Sequence, residues 1–358
     1  INKKPANSTF QVFYESGFII NYINKEDILM SLKDSDKQKW NYTEHAKVKH
    51  LLLQKYLPVW ITILGSRYKR IYYFDGFAGR GEYNDGNPGS PLLALEALKA
   101  VYNNTSVRGF EYNCIFVEKN LDNFNNLKEV VERERSSLPS ACNVYYKHAD
   151  FDSYINNVLD KFEKSGKRLP PSFFFIDPFG YKGDNFNTIK RILHQPKTEV
   201  FLNFMVRDVN RFLKLKHQEK NMNTLFGNDK WKDLLAINDK ERQTALRDLY
   251  VDNLIETGAA KYVWPFRVCQ DDKRITLYYL IYATNNFKGL DIMKGIMYNQ
   301  NEYFAYLGPD EHVYQFSKNQ LKLIDFNQEN LKNYLLKTYS KAKKTYEQIK
   351  EETYMDTV

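Results

Sequence analysis

IYYFDGFAGRGEY, residues 71–83, is the stretch on which the fold turns. Five mostly apolar residues end on an acid, Asp75, and a glycine-rich turn follows at once. That is the pattern of a buried strand feeding a loop whose backbone must come close to something, because Gly79 and Gly81 reach dihedrals that other residues avoid. Downstream, "GSPLLALEALKAVYN" reads as a helix, with Ser90 as its N-cap and Pro91 as its first residue. Upstream, residues 46–64 place Val48, Leu51, Leu52, Trp60 and Ile63 on a helical period, with a kink expected at Pro58.

The alternation continues. "CIFVE" (114–118), "NVYYK" (143–147), "SFFFID" (172–177) and "EVFLNFM" (199–205) read as strands. Helical segments separate them, at 121–134, over "SYINNVLDKFEKS" and near 185–194. Strands alternating with helices predict a mostly parallel sheet covered on both faces. Residues 207–258 break the pattern with a strandless, charge-rich insertion; "KYVWPFRV" (261–268) and "RITLYYLIYAT" (273–283) then read as an antiparallel hairpin. The expected fold is therefore α/β and Rossmann-like: a seven-stranded, mostly parallel sheet, a helical insertion and a closing hairpin. We expect an N-terminal extension (1–44), the Rossmann-like domain (45–300) and a mostly helical C-terminal segment (301–358), whose "TYEQIKEETY" resembles the start of a small winged-helix-like module.

Composition bounds the function. The 358 residues are 43% hydrophobic and 27% charged, as in an ordinary globular protein, and no run of about 18 apolar residues suggests a membrane span. The chain starts on Ile1 without a signal-peptide pattern, as a trimmed chain would, so a cytoplasmic location is expected. Cys114, Cys142 and Cys269 are too sparse for a disulfide framework or a metal site and read as reduced, buried side chains. With 52 basic against 44 acidic residues, the formal charge of +8 favours a polyanionic partner such as RNA or DNA.

The acids at strand ends point to a nucleoside ligand, because ligands of open parallel sheets bind at the carboxyl ends of the strands. Asp75, Glu118 and Asp177 end strands, and Asp150 follows one. A dinucleotide fold carries GxGxxG and an acid about 20 residues later. Here the order is D-G-F-A-G-R-G, with the acid before the glycines and the next one much further on. An acid there repels a pyrophosphate but suits a sulfonium and an amino-acid amine, which favours S-adenosylmethionine. Asp75, Gly76, Phe77, Ala78, Gly79 and Gly81 would hold its methionine end, with Ser90 and Pro91 opening the next helix. Glu118 would take the ribose and Asp150 the adenine, with their neighbours Lys119 and Phe151 also candidates for cofactor binding.

"FFFIDPFGYKG" (173–183) resembles the [DN]PP[YF] motif of methyltransferases acting on exocyclic amines. Asp177, Pro178, Phe179 and Gly180 are the catalytic candidates, with the acid and the following carbonyl holding the amine and the ring stacking on the base. Positioning of that kind supplies much of the catalysis. The motif departs from the pattern in lacking the second Pro and in placing its aromatic one position early. Tyr181, Lys182 and Asn203 are candidates for substrate contact, as are Arg207, Arg211 and Lys214, which with Lys216 and Lys220 read as one broad basic helical face.

Taken together, "KHLLLQKYLPVWITIL", "FDGFAGRGEYNDGNPGSPLLAL", "FVEKN", "FFFIDPFGYKG", "EVFLNFMVRDVNRFL" and "YYLIYATNNFKGLDIMK" resemble the three-Cys-motif partner family, over about His45 to Met297. That resemblance implies a methyltransferase-like protein accompanied by a separate three-cysteine protein related to radical S-adenosylmethionine enzymes. "HAKVKH" and the Gly-Ser-Pro turn are more distantly similar to the J-type large-subunit ribosomal RNA adenine methyltransferases. This similarity implies that Lys49 and His50 flank the methionine end of the cofactor. The expected function is methyl transfer to a nucleic-acid base amine. The alternatives are a non-catalytic docking subunit and a methyltransferase for a small molecule or protein.

Overall fold

The computed structural model describes residues 40–178, 180, 185–270, 275–298, 335–339 and 344–353. Seven strands form one sheet in the order β3-β2-β1-β4-β5-β7-β6. They are β1 (Arg70–Asp75), β2 (Glu111–Glu118), β3 (Cys142–His148), β4 (Ser172–Ile176), β5 (Thr198–Phe204), β6 (Tyr262–Gln270) and β7 (Ile275–Thr284). The first five run parallel, and β7 pairs antiparallel with both β5 and β6. The expected seven-stranded Rossmann-like sheet with its closing hairpin is thus what the chain forms. Strand β1 lies between β2 and β4, with Asp75 in register with Phe116 and Phe175.

Helices cover both faces. On one side lie α1 (Glu44–Gly65), α2 (Ser90–Asn104), α3 (Leu121–Glu134) and α9 (Phe287–Tyr298). On the other lie α4 (Phe151–Lys164), α5 (Phe186–Leu193), α6 (Val206–Phe212), α7 (Glu219–Phe226) and α8 (Asp239–Glu256). Strand alternation assigns each side chain to a face. Ile71 and Tyr73 of β1, Tyr112, Cys114 and Phe116 of β2, Phe173 and Phe175 of β4, and Phe201 of β5 all pack into the core beneath α1 and α2. Phe74 and Phe174 point the other way and stack with ring centroids 4.3 Å apart. Counting on by twos, Asp75, Glu118, Asp177 and Asn203 inherit the α1 face. That periodicity is why polar residues from four different strands converge.

Two local expectations change. Gly89, not Ser90, is the N-cap of α2; Ser90 is its first residue. The Ser90 hydroxyl is instead turned onto Asp75, where it bonds a buried carboxylate. Pro58 lies inside α1, a single element of 22 residues, and the expected kink there is neither borne out nor overturned. The second concerns residues 207–220, which fold not as one basic face but as α6, a turn and α7.

Candidate functional site

At the carboxyl edge of the sheet, a cavity of about 360 Å³ lies between α1, the Gly-rich loop and the ends of β4 and β5. Of the residues singled out in the sequence, Lys49, His50, Phe77, Ala78, Gly79, Gly81, Ser90, Asp177, Pro178, Gly180 and Asn203 line it.

Asp75 sits beneath this lining with no solvent exposure. Its carboxylate accepts the Phe77 backbone N–H at 3.3 Å, the Tyr73 hydroxyl at 3.4 Å and the Ser90 hydroxyl. Burial pushes the carboxyl up to about 7, and these hydrogen bonds only partly offset it. The loop above is tightly fitted. Gly79 has φ +61°, and a side chain there would run into the Trp40 ring, 2.5 Å from the position of a Cβ.

Glu118 braces the same loop. One of its carboxylate oxygens accepts the Gly79 N–H at 2.9 Å and the other the Asn120 N–H at 2.6 Å. Its bonds in this structure therefore set the shape of the loop, and lone pairs remain on both oxygens for further donors.

The far wall is built around Asp177. The Lys49 ammonium forms a close ion pair with one oxygen, and Asn203 Nδ2 donates to the other at 2.8 Å. Neighbouring His50 is 2% exposed, stacks on Tyr42 with centroids 5.5 Å apart and meets the Tyr83 ring at 5.6 Å. Burial, reinforced by the Lys49 charge, lowers its pKa to about 3, so the ring is neutral at physiological pH. Two buried atoms here have no hydrogen-bond partner among the described residues, His50 Nδ1 and Asn203 Oδ1. Such orphans are uncommon in folded proteins.

The remaining candidates stand apart. Asp150 is the N-cap of α4, accepting the Ser153 N–H at 3.2 Å, and pairs with Lys119 at 3.2 Å near the surface. Gly76 and Phe151 pack on each other, so Phe151 is a core residue beneath the loop. Pro91 is buried in the first turn of α2. Arg207 and Arg211 lie one turn apart on exposed positions of α6, just past Met205 of the cavity wall. Lys214 reaches Asp239 at 3.7 Å. Phe179, Tyr181 and Lys182 lie outside the described residues.

Sequence reasoning missed the aromatic wall of Trp40, Tyr83 and Tyr278, all in the lining. Tyr278 is placed there by strand pairing, which no local pattern announces. For Trp40, the signal was a lone aromatic pair, "WNY", in an otherwise polar run.

No family model matches the chain, and no curated protein does. Similar solved structures include an O-methyltransferase from Bacillus cereus in complex with SAH, 14% identical, covering 72% of this chain and 89% of that one, with a TM-score of 0.36. The human methyltransferase 10 domain containing protein is 13% identical, covering 65% of this chain and 82% of that one, with a TM-score of 0.31. A spermidine synthase from Thermotoga maritima is 7% identical, covering 67% of this chain and 62% of that one, with a TM-score of 0.31. Strand order and site geometry, not these distant likenesses, carry the reading that follows. Among the described residues, no group of three His, Cys, Asp or Glu side chains is arranged to hold a metal ion. No described helix is long and apolar enough to cross a membrane.

Proposed function

We propose that the chain is an S-adenosylmethionine-dependent methyltransferase acting on an exocyclic amine of a nucleic-acid base. The observation that carries this reading is the convergence, at one cavity, of a buried acid under a Gly-rich loop with an Asp–Asn acceptor pair across from it. When bound, the cofactor supplies a methyl group already activated on a sulfonium. The chain's residues then have positioning work to do. Asp75, through the loop it anchors, favours a cationic amine; Glu118 holds the Gly79 amide and presents its remaining lone pairs to ribose hydroxyls. Asp177 and the orphan Asn203 Oδ1 are acceptors suited to an amine's two N–H groups. The aromatic lining excludes water, and Arg207 and Arg211 beside the cavity suit phosphate contacts. A base within a duplex must flip out to reach such a site. A three-cysteine, radical-S-adenosylmethionine-like protein as partner follows from the family resemblance and is part of the proposal.

One observation favours a second reading. Lys49 already pairs with Asp177 of the altered D-P-F-G motif, as suits a non-catalytic docking subunit.

Calorimetric titration of S-adenosylmethionine separates the two. Micromolar binding, weakened at least tenfold in Asp75→Asn and Glu118→Gln with folding unchanged by circular dichroism, supports the methyltransferase. Absence of binding by the folded protein removes it and leaves the docking subunit.

A further inference from the structure

The α1 face of the sheet carries a second cavity at its opposite end. It measures about 380 Å³, within the range of small-molecule sites, and lies between the last turns of α1, the start of β5 and the first turn of α9. Trp60, Ile63, Leu64 and Ile292 supply its apolar walls, and Thr198 and Glu199 its polar floor.

Three observations mark it as a built site rather than a packing fault. First, two of its lining residues carry a deeply buried polar group with no hydrogen-bond partner among the described residues. These are the Trp60 indole N–H, on a residue 3% exposed, and the Thr198 hydroxyl, on a residue 2% exposed. Second, Glu199 is held between two tyrosines, with the Tyr56 hydroxyl 2.7 Å and the Tyr282 hydroxyl 2.8 Å from the same carboxylate oxygen. A side chain at position 289 would approach the Tyr282 hydroxyl to 2.6 Å, so only glycine lets α9 pass over this cluster. Third, Lys197 at the mouth has φ +59°, a strained conformation for a non-glycine residue, of the kind that clusters at functional sites.

The rim is basic: Arg67, Lys197 and Lys288 line it, and Glu199 is the one acid in the described lining. Arg67 and Lys197 make no ion pair among the described residues, while Lys197 lies 4.6 Å over the Tyr68 ring. A cationic mouth suits an anionic group. The interior decides what is attached to it. A hydrocarbon chain would leave the indole N–H and the Thr198 hydroxyl unpaired, at a cost for each buried polar group. A flat heterocycle packs on the aromatic and aliphatic walls, and its ring nitrogens and carbonyls pair with both groups once the lining side chains shift to uncover them. Burial holds the Glu199 carboxyl at about 7, so near neutrality it is available as donor or acceptor.

We propose that this cavity binds a mononucleotide, base inward against Trp60 and Thr198 and phosphate outward on Arg67 and Lys197. The site is separate from the cavity at Asp75, and the proposal stands whether or not the methyltransferase reading does.

The test is calorimetric titration of AMP, GMP, CMP and UMP, each at up to millimolar concentration, into the full chain and three variants. At least one nucleotide is expected to bind. Arg67→Ala, at an exposed position, is expected to weaken it about tenfold. Thr198→Val is expected to weaken it severalfold while leaving thermal stability unchanged or raised, because it removes an unpartnered buried hydroxyl. Glu118→Gln, at the residue that would take a ribose in the first cavity, is expected to leave the binding intact. The proposal is overturned if no nucleotide binds, or if binding survives Arg67→Ala and Thr198→Val; loss in Glu118→Gln would then place the nucleotide in the other cavity. Arg67-dependent binding of a fatty acid such as laurate, with no nucleotide bound, would overturn it as well.

Discussion

Asp75 is a carboxyl with no solvent exposure, and burial raises its pKa to about 7. Because the folded value lies above the ordinary one, the fold binds the proton more tightly than the unfolded chain does. Stability from this group is full at low pH and is lost as pH rises towards 7. Asp75→Asn is therefore expected to raise thermal stability at pH 8, by up to a few kcal/mol, with a smaller gain at pH 5. Binding of a cationic ligand has the opposite sense, since it requires the ionised form. S-adenosylmethionine affinity is expected to fall about tenfold between pH 7.5 and pH 5.5, and Asp75→Asn to abolish that slope. Of the other groups facing the cavity, His50 stays neutral throughout this range, with its pKa near 3, and Tyr83 and Tyr278 are pushed upward by burial. Calorimetry at the two pH values checks the binding slope; a flat profile in the wild type would contradict it.

At the scale of elements, Asp150 shows how one side chain can carry two roles. Its Oδ1 caps α4, and its Oδ2 pairs with Lys119. Replacing a cap by alanine costs about 1 kcal/mol, whereas serine keeps the cap without the carboxylate. Asp150→Ser is expected to leave the melting temperature nearly unchanged. If Asp150 also contacts adenine, as its place after the third strand suggests, the same variant weakens S-adenosylmethionine severalfold. Equal affinity in Asp150→Ser and wild type would confine Asp150 to its cap. Helix α1 joins distant parts of the molecule in a similar way. Its 22 residues span roughly 33 Å at the ordinary helical rise, with Lys49 and His50 at one cavity and Trp60 and Leu64 at the other.

For the whole molecule, the formal charge of +8 sets the expected response to salt. Binding of single-stranded RNA or DNA is expected to weaken linearly in log K against log salt concentration. Arg207→Ala and Arg211→Ala, at exposed sites of α6, are each expected to reduce that slope by about one. Fluorescence anisotropy across a salt series measures this, and binding insensitive to salt would count against a nucleic-acid substrate.

How far could this be read without the fold? The five strand–helix alternations and the hairpin were legible because hydrophobic periodicity and Gly/Pro punctuation are local signals. Asp75, Glu118 and Asp177 were legible too, since a strand that ends on an acid places that acid at the sheet's carboxyl edge. Lys49 was known only through a resemblance, and what it does is settled by tertiary structure alone: α1 lies across β4, so the ammonium meets Asp177 from 128 residues away. The same holds for the Tyr56–Glu199–Tyr282 cluster, whose members lie on α1, β5 and β7. The sequence by itself determined the order and kind of the elements, because those depend on neighbours along the chain. Which buried polar atoms find partners, and which find none among the described residues, was decided only by packing. Hydrogen bonding and desolvation depend on distances across the sheet, and these exist only once it has closed.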